Sequence, residues 1–223
     1  MVPKLIISVT VPFIAAEMLY AVRNDKLKNL YRILILLPMI APGVVGTLIW
    51  KAVYDPNGGV MTAIMRVFHI VDRDTAIDWL GSPSLVIFSI IFMGFPWIGG
   101  TNVLIYLAGL NSISKDVIES SILDGATPLK RVFLVDIPLM LGQVKYFLVF
   151  GIIGGLQDYS VQVLLTNGGP GYQTYVPGYY MYQQAFMFNN KYYASTIGVV
   201  LFVVVMVFTM FVNKTIRRDK VEV

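Results

Sequence analysis

Five long apolar runs separated by short polar stretches restrict this 223-residue chain more than any other feature. They fall at 5–22, 33–54, 84–106, 138–166 and 195–212. A hydrocarbon layer about 30 Å thick takes about 20 helical residues to cross, and only helices or closed barrels satisfy their own backbone there. The spacing therefore predicts an all-α, polytopic transmembrane bundle of five spans. With 57% apolar and 13% charged residues, the composition fits that class. The net charge of +4 is dispersed over short loops rather than gathered on one soluble face, which argues against nucleic acid as a partner. Lys and Arg number eleven in the stretches 23–32, 107–137 and 213–223, against three in 55–83 and 167–194. By the positive-inside rule the first set is cytoplasmic, C-terminus included, and the second external.

The spans carry their own irregularities. The first holds Glu17 as its one charge and lacks a basic leader or a small-residue cleavage site, so it reads as a true span rather than a signal peptide. Pro38 and Pro42 are expected to kink or unwind the second. Asp55-Pro56-Asn57-Gly58-Gly59 then reads as a turn and 61–71 as a short amphipathic helix on the outer surface, with Tyr54 and Trp79 placed as interfacial aromatics. Gly94, Pro96, Gly99 and Gly100 interrupt the third span, either for close helix packing or for a break lining a cavity. The fourth is the most polar, with Gln143, Lys145, Gln157, Asp158 and Gln162. Its Gly151, Gly155, Asp158, Gln162 and Thr166 recur every three or four residues, a stripe expected to line a solute path. Asp158 turned to lipid would cost about 2.5 to 3.5 kcal/mol, so it should face water or a partner helix. Asn167-Gly168-Gly169-Pro170-Gly171 ends the span, and a tyrosine-rich external segment follows.

The polar interruption at 111–138 reads as two short helices on a membrane surface. Ser114 caps the first, with Asp116 at the positive end of its dipole, and Gly125 offers the left-handed residue that ends it. Thr127 caps the second, which opens on Pro128. Ile118, Ile122 and Gly125 share a stripe, while Glu119 and Asp124 point away from it. Such a helix-Gly-helix knuckle can enter a partner's groove.

These residues also resemble a known family. Glu119, Asp124-Gly125-Ala126, Phe133 and Ile137-Pro138 are similar in order and spacing to the "EAA" loop of the membrane subunits of binding-protein-dependent ATP-binding-cassette importers, with Ser120 and Ser121 in place of the two alanines. Beyond the loop, Leu37-Pro38 with Trp50, Asp55-Pro56 with Gly59, Trp79-Leu80, Leu107-Ala108-Gly109-Leu110, Leu165-Thr166-Asn167-Gly168-Gly169-Pro170, Tyr182 with Ala185-Phe186, and Tyr193-Ala194-Ser195 resemble the sugar-uptake branch, that of maltose- and glycerol-phosphate-type permeases. The resemblance implies one transmembrane permease domain over 1–223 in a bacterial-type cytoplasmic membrane. It implies a second permease subunit, a cytoplasmic ATPase dimer and an external solute-binding protein as partners, with lipid around the spans. Ile118, Glu119, Ile122, Asp124, Gly125 and Ala126 would couple to the ATPase; Gly155, Asp158, Gln162 and Thr166 would line the path of a sugar or oligosaccharide. Family members begin with an in-to-out helix, so the resemblance implies either a further helix ahead of the first span or a genuine five-span variant.

Other classes fit less well. An ion-coupled secondary transporter would use broken spans and a buried Asp158, but it predicts an internal repeat that is not visible. A membrane enzyme would need a catalytic cluster, and none rises above chance. Absence of cysteine removes disulfides and thiolate chemistry, and His69, the single histidine, has no second ligand nearby, so no metal, cofactor or catalytic residue is expected. No Gly-x4-Gly-Lys-[Ser/Thr] occurs, so any ATP is hydrolysed by another chain.

Overall fold

The computed structural model describes residues 2–72 and 74–216, and among these the regular structure is entirely helical. In chain order the helices are α1 (Val2–Tyr20), α2 (Asp25–Leu36), α3 (Gly43–Val53), α4 (Val60–Val67), α5 (Val86–Phe92), α6 (Gly100–Asn111), α7 (Lys115–Leu123), α8 (Pro128–Arg131), α9 (Ile137–Leu139), α10 (Leu141–Gln157), α11 (Pro177–Tyr182) and α12 (Lys191–Thr215). Three continuous stretches are long and apolar enough to cross a membrane: Val2–Tyr20, Leu141–Thr166 and Lys191–Thr215. They correspond to the first, fourth and fifth expected spans. α12 starts before the expected 195 and runs past 212.

The second and third expected spans are not single helices. The second breaks at Ala41 and Pro42, after the tight turn Leu37–Ile40, and passes as a span only if its two pieces are taken together. Pro38 and Pro42 withhold two backbone donors, which is the physical reason for the break. The third divides into α5 and α6 around 93–99, where Gly94 adopts a positive φ of 96°. Among the described residues the five-span expectation thus becomes three bilayer-length helical stretches and one sharply bent pair, with α5 and α6 each too short to cross alone. Arg217, Arg218 and Lys220 of the expected tail lie outside the described residues.

The chain separates into two compact units. The first draws on the described parts of Met1–Pro38, Trp97–Ile152 and Val205–Val223. In it α6 packs along α1, and Val9, Ala16, Leu19, Val103, Tyr106, Leu107, Leu110, Met140 and Phe147 form the buried core. The Tyr106 ring lies edge-on to Phe13 at 5.3 Å and tilted against Phe147 at 4.8 Å. Gly109 permits the approach of α6 to the chain at 140–143, because a Cβ there would meet Met140 and Gln143 at 2.6 to 2.7 Å. Pro12 lies inside α1 and cannot donate to the carbonyl of Ser8; Asn102 on α6 donates its amide to that carbonyl at 3.5 Å. Lys145 on α10 reaches the carbonyls of Asn213 and Ile216 at 3.5 and 3.4 Å, closing the end of α12 with a cation.

The second unit comprises Met39–Pro96 and Ile153–Val204. Tyr54, Met61 and Trp79 form its core. The Tyr54 hydroxyl donates to the Ser89 carbonyl at 2.7 Å, the Trp79 indole donates to Thr62 Oγ1 at 2.9 Å, and the Ser89 hydroxyl donates to the Trp79 carbonyl at 2.9 Å. Tyr54 and Trp79 are therefore not interfacial aromatics. They are only 2% and 4% exposed, and their polar tips are satisfied inside the protein rather than by headgroups or water. The expected turn at Asp55 is present. Backbone amides of Gly58 and Asn57 donate to the Asp55 carboxylate, holding it below the usual carboxylate range. α4 replaces the expected helix at 61–71, burying Met61 and Thr62; the exposed His69, at a φ of 56°, lies in the left-handed region just beyond its end. The Arg66 guanidinium fastens this part by donating to the carbonyls of Asn57 and Thr75, each at 3.0 Å.

Replacing Lys145 by Met should fray the last turn of α12. The expected loss is about 0.3 to 1 kcal/mol of local stability, read as faster hydrogen exchange in peptides covering 208–216, with α6 unaffected.

Candidate docking loop and polar stripe

The loop between α6 and α10 forms as its local residues dictate. Ser114 Oγ accepts the Val117 amide at 3.4 Å, and Asp116 occupies the first turn of α7. At the other end the Gly125 amide donates to the Ile122 carbonyl and the Ala126 amide to the Ser121 carbonyl, both at 3.0 Å. That pair of bonds, with Asp124 as C-cap and Gly125 at a φ of 76°, is a Schellman closure. Thr127 Oγ1 then accepts the Lys130 amide at 3.4 Å, and Pro128 opens α8. Val132–Asp136 widens into a π turn immediately before Pro138, whose ring could not sit over a normally placed carbonyl four residues back.

All six expected docking residues lie on α7 and its closing turn. Glu119, Ile122, Asp124 and Gly125 are exposed; Ile118 and Ala126 are half-buried. The apolar face is broader than the sequence stripe. Leu123, Leu129, Phe133 and Leu134 are also exposed, Leu123 to 88%. Leu129 and Phe133 stand four residues apart, the same helical spacing that pairs Ile118 with Ile122, and that spacing is their signal in the sequence. Ser121 is buried and donates its hydroxyl to the Ile118 carbonyl at 2.7 Å, so the serine at this position is satisfied within its own helix.

The fourth-span stripe is less regular. α10 stops at Gln157, and Asp158 is exposed, accepting the Ser160 amide at 2.9 Å on Oδ1 to start a new helical piece. That piece ends in the π turn Gln162–Thr166. Gln162 is buried where the turn meets α3. Thr166 shares a hydrogen bond of 2.8 Å with the Thr174 hydroxyl, which also donates to the Gly169 carbonyl, so the Gly-Gly-Pro element is a loop closed by Thr174. Gly155 is half-buried on α10. Farther back, Gly151 rests against the Leu5 side chain. The break and the wide turn shift the register, so these residues do not form one continuous helical face. Tyr159 and Tyr182 stack at 4.8 Å beside the break, in a run of rings that includes Tyr172, Tyr175 and Tyr179. Burial, reinforced by the neighbouring Tyr179 and Tyr172 hydroxyls, pushes the Tyr175 hydroxyl above the usual phenol range.

A fold that is all-helical among the described residues, with bilayer-length apolar helices, is that of an integral membrane protein. Residues 8–221 match the family described as binding-protein-dependent transport system inner membrane component, and the chain belongs to that family. It is 30% identical over 189 residues to the Probable ABC transporter permease protein YesP of Bacillus subtilis, covering 83% of this chain and 60% of that protein. It is 26% identical over 208 residues to the arabinooligosaccharides transport system permease protein AraP of the same organism, covering 92% and 65%. The chain thus spans less than two thirds of the length of these relatives. A bacterial ABC transporter involved in import of the acidic polysaccharide alginate shares the fold, with a TM-score of 0.80 at 21% identity over 98% of this chain and 78% of that one.

The Gly125 conformation yields a local test. Apart from its chain neighbours, nothing among the described residues lies within 4 Å of a Cβ placed there, so the penalty of a side chain comes from the positive φ itself. Gly125→Val should destabilise the closure of α7 by about 1 to 2 kcal/mol and Gly125→Asn by less, read as hydrogen exchange of the α7 peptide.

Proposed function

We propose that this chain is the membrane-spanning permease subunit of an ATP-binding-cassette importer that carries a sugar or oligosaccharide delivered by an external binding protein. The observation that carries the reading is the family match over 8–221 together with a loop that exposes an apolar face between two well-capped helices. The names of the relatives, which include an arabinooligosaccharide system, support the saccharide class. A structure of the alginate transporter with its pentasaccharide-bound periplasmic protein, similar in fold at a TM-score of 0.81, supports a binding-protein partner. These findings do not favour the ion-coupled alternative.

In this reading 1–223 works as one permease domain, with the loop at 111–138 and the C-terminus in the cytoplasm. The chain pairs with a second permease, homologous or identical, and with two ATPase subunits, and it hydrolyses no ATP itself. Ile122 fills an apolar pocket on the ATPase, for about 1.5 to 3 kcal/mol if fully buried, with Ile118 at its edge. Glu119 meets a basic residue at the rim, worth about 1 kcal/mol or less while exposed. Asp124, Gly125 and Ala126 hold the closing turn that presents α7. Gly155, Asp158, Gln162 and Thr166 border the solute path, with the exposed Asp158 carboxylate offering the hydrogen-bond acceptor.

The test is co-purification of the ATPase and binding-protein-stimulated hydrolysis in reconstituted vesicles. Gly125→Val should release or uncouple the ATPase while the spans still insert, and Glu119→Ala should be milder. If Gly125→Val retained both properties at the unmodified level, the docking role would be wrong. Asp158→Asn and Gln162→Ala should each weaken uptake about three- to tenfold, the loss of one or two hydrogen bonds to solute, with assembly and hydrolysis intact. Unchanged uptake kinetics in both would remove these residues from the path.

A further inference from the structure

A cluster of charged side chains in the first unit links the docking loop to the first span. Asp136, at the end of the π turn, is 1% exposed and accepts the Arg131 guanidinium at 3.0 Å. The same guanidinium lies over the Tyr20 ring at 5.6 Å, and Lys28 of α2 lies over that ring at 5.3 Å. Tyr20 is the last residue of α1, so the end of the first span is gripped by cations from two other elements. One turn earlier on α1, Glu17 holds a buried Oε1 without a hydrogen-bond partner among the described residues, within electrostatic reach of both Arg131 and Asp136. Only the Asp136 side of the pair is fully buried, with Arg131 22% exposed; such a pair contributes little net stability compared with well-packed apolar residues, and an ionisable group within a span is expensive. The pair and Glu17 are therefore poorly explained as glue.

We propose that Arg131 and Asp136 are positioning residues that clamp the docking loop to the end of α1, so that displacement of the loop by the ATPase moves the first span with it. The inference rests on the importer reading above. The ion pair fixes Arg131 across the π turn, where the loop would otherwise yield, and the guanidinium transmits the fixed geometry to α1 through the Tyr20 face. Glu17 supplies a second carboxylate on α1 toward which the guanidinium can lean as the loop moves, so contact is kept through the stroke. Only a loop held at both ends of α8 can push a span rather than fold against it.

The chain contains no cysteine, so it brings no background of its own to spin labels placed at the exposed Met18 of α1 and Lys130 of α8. The experiment measures the distance between them by pulsed electron resonance in the complete transporter, free of nucleotide and trapped with ATP and vanadate. With the clamp intact the separation should be the same in both states. In Arg131→Met/Asp136→Leu, an apolar replacement of the pair, the separation should shift by about 2 Å or more on trapping, the scale of helix shifts in switching proteins. Hydrolysis and co-purification of the ATPase should persist. A merely structural pair would loosen both states alike. Tyr20→Leu, which leaves the ion pair in place, should show the same nucleotide-dependent shift in smaller degree and keeps the test open should the double variant fail to insert. A nucleotide-dependent shift with the clamp intact, or none in either variant, would overturn the proposal. If no ATPase co-purifies with the unmodified chain, the importer reading fails first and the clamp with it.

Discussion

Each backbone amide and carbonyl placed in hydrocarbon has to find its partner inside the protein, since no water is there to accept the remainder. The positions where this chain departs from regular helix are the positions where that demand is met by something else. Pro12 leaves the Ser8 carbonyl without its helical donor, and Asn102 supplies one from a neighbouring helix. A residue that looks like a local defect in α1 thus becomes a specific tie between α1 and α6. At the end of α12 the last carbonyls would face outward unpaired, and Lys145 covers two of them. Asp158 plays the reciprocal part at the break after α10, accepting a backbone amide that the interrupted helix cannot use. Polar residues in these spans are first of all backbone partners, and only those left over are available to a solute or another subunit.

The same accounting separates two kinds of aromatic residue. Tyr54 and Trp79 have their hydroxyl and indole groups satisfied by Ser89 and Thr62, which lets both rings be buried completely. Tyr172, Tyr175, Tyr179, Tyr180 and Tyr182 are instead arranged as a run of rings packed on one another, with the Tyr175 hydroxyl meeting Gln183. Burying a tyrosine hydroxyl without a partner is costly. Tyr106 is the counterexample, with its ring fully enclosed between Phe13 and Phe147 and its hydroxyl without a partner among the described residues.

What was legible in the sequence follows the range of the interactions concerned. Ser114, Gly125, Thr127 and Pro128 act on amides two to four positions away, and the structure realises each as read. The helix break near Pro42 was equally legible, because a missing donor is a property of the residue itself, whereas around Pro96 the sequence left close packing and a break as alternatives and the structure shows the break. Tyr54 and Trp79 were misread for the opposite reason. An aromatic residue flanking an apolar run looks alike whether its polar tip meets headgroups or Thr62, and only the folded chain distinguishes them. The register of the fourth span was lost in the same way, since nothing local announces the wide turn at 162–166. Glu17, Arg131 and Asp136 lie far apart in sequence, on segments that read as an ordinary span and an ordinary loop. Their juxtaposition is created by the packing of α1 near the docking loop and has no local signature.

Exposure carries different information in the two settings. On α12, exposed Val, Phe and Met side chains are what lipid requires, and their exposure singles out no partner. On α7 and α8 the flanking positions are Lys115, Asp116, Glu119, Asp124 and Lys130, charges that are costly to place in hydrocarbon. Ile122, Leu123, Leu129, Phe133 and Leu134 exposed among them remain uncovered at a cost that lipid does not relieve there. A docking surface on a membrane protein is therefore read from apolar side chains standing where the neighbouring charges exclude the bilayer. In the proposed importer the second helix of the loop would belong to that surface as much as the first, since a partner seated on α7 alone would leave the exposed Leu129 and Phe133 uncovered. A partner groove wide enough to cover both helices would bear directly on the turn that Arg131 and Asp136 hold.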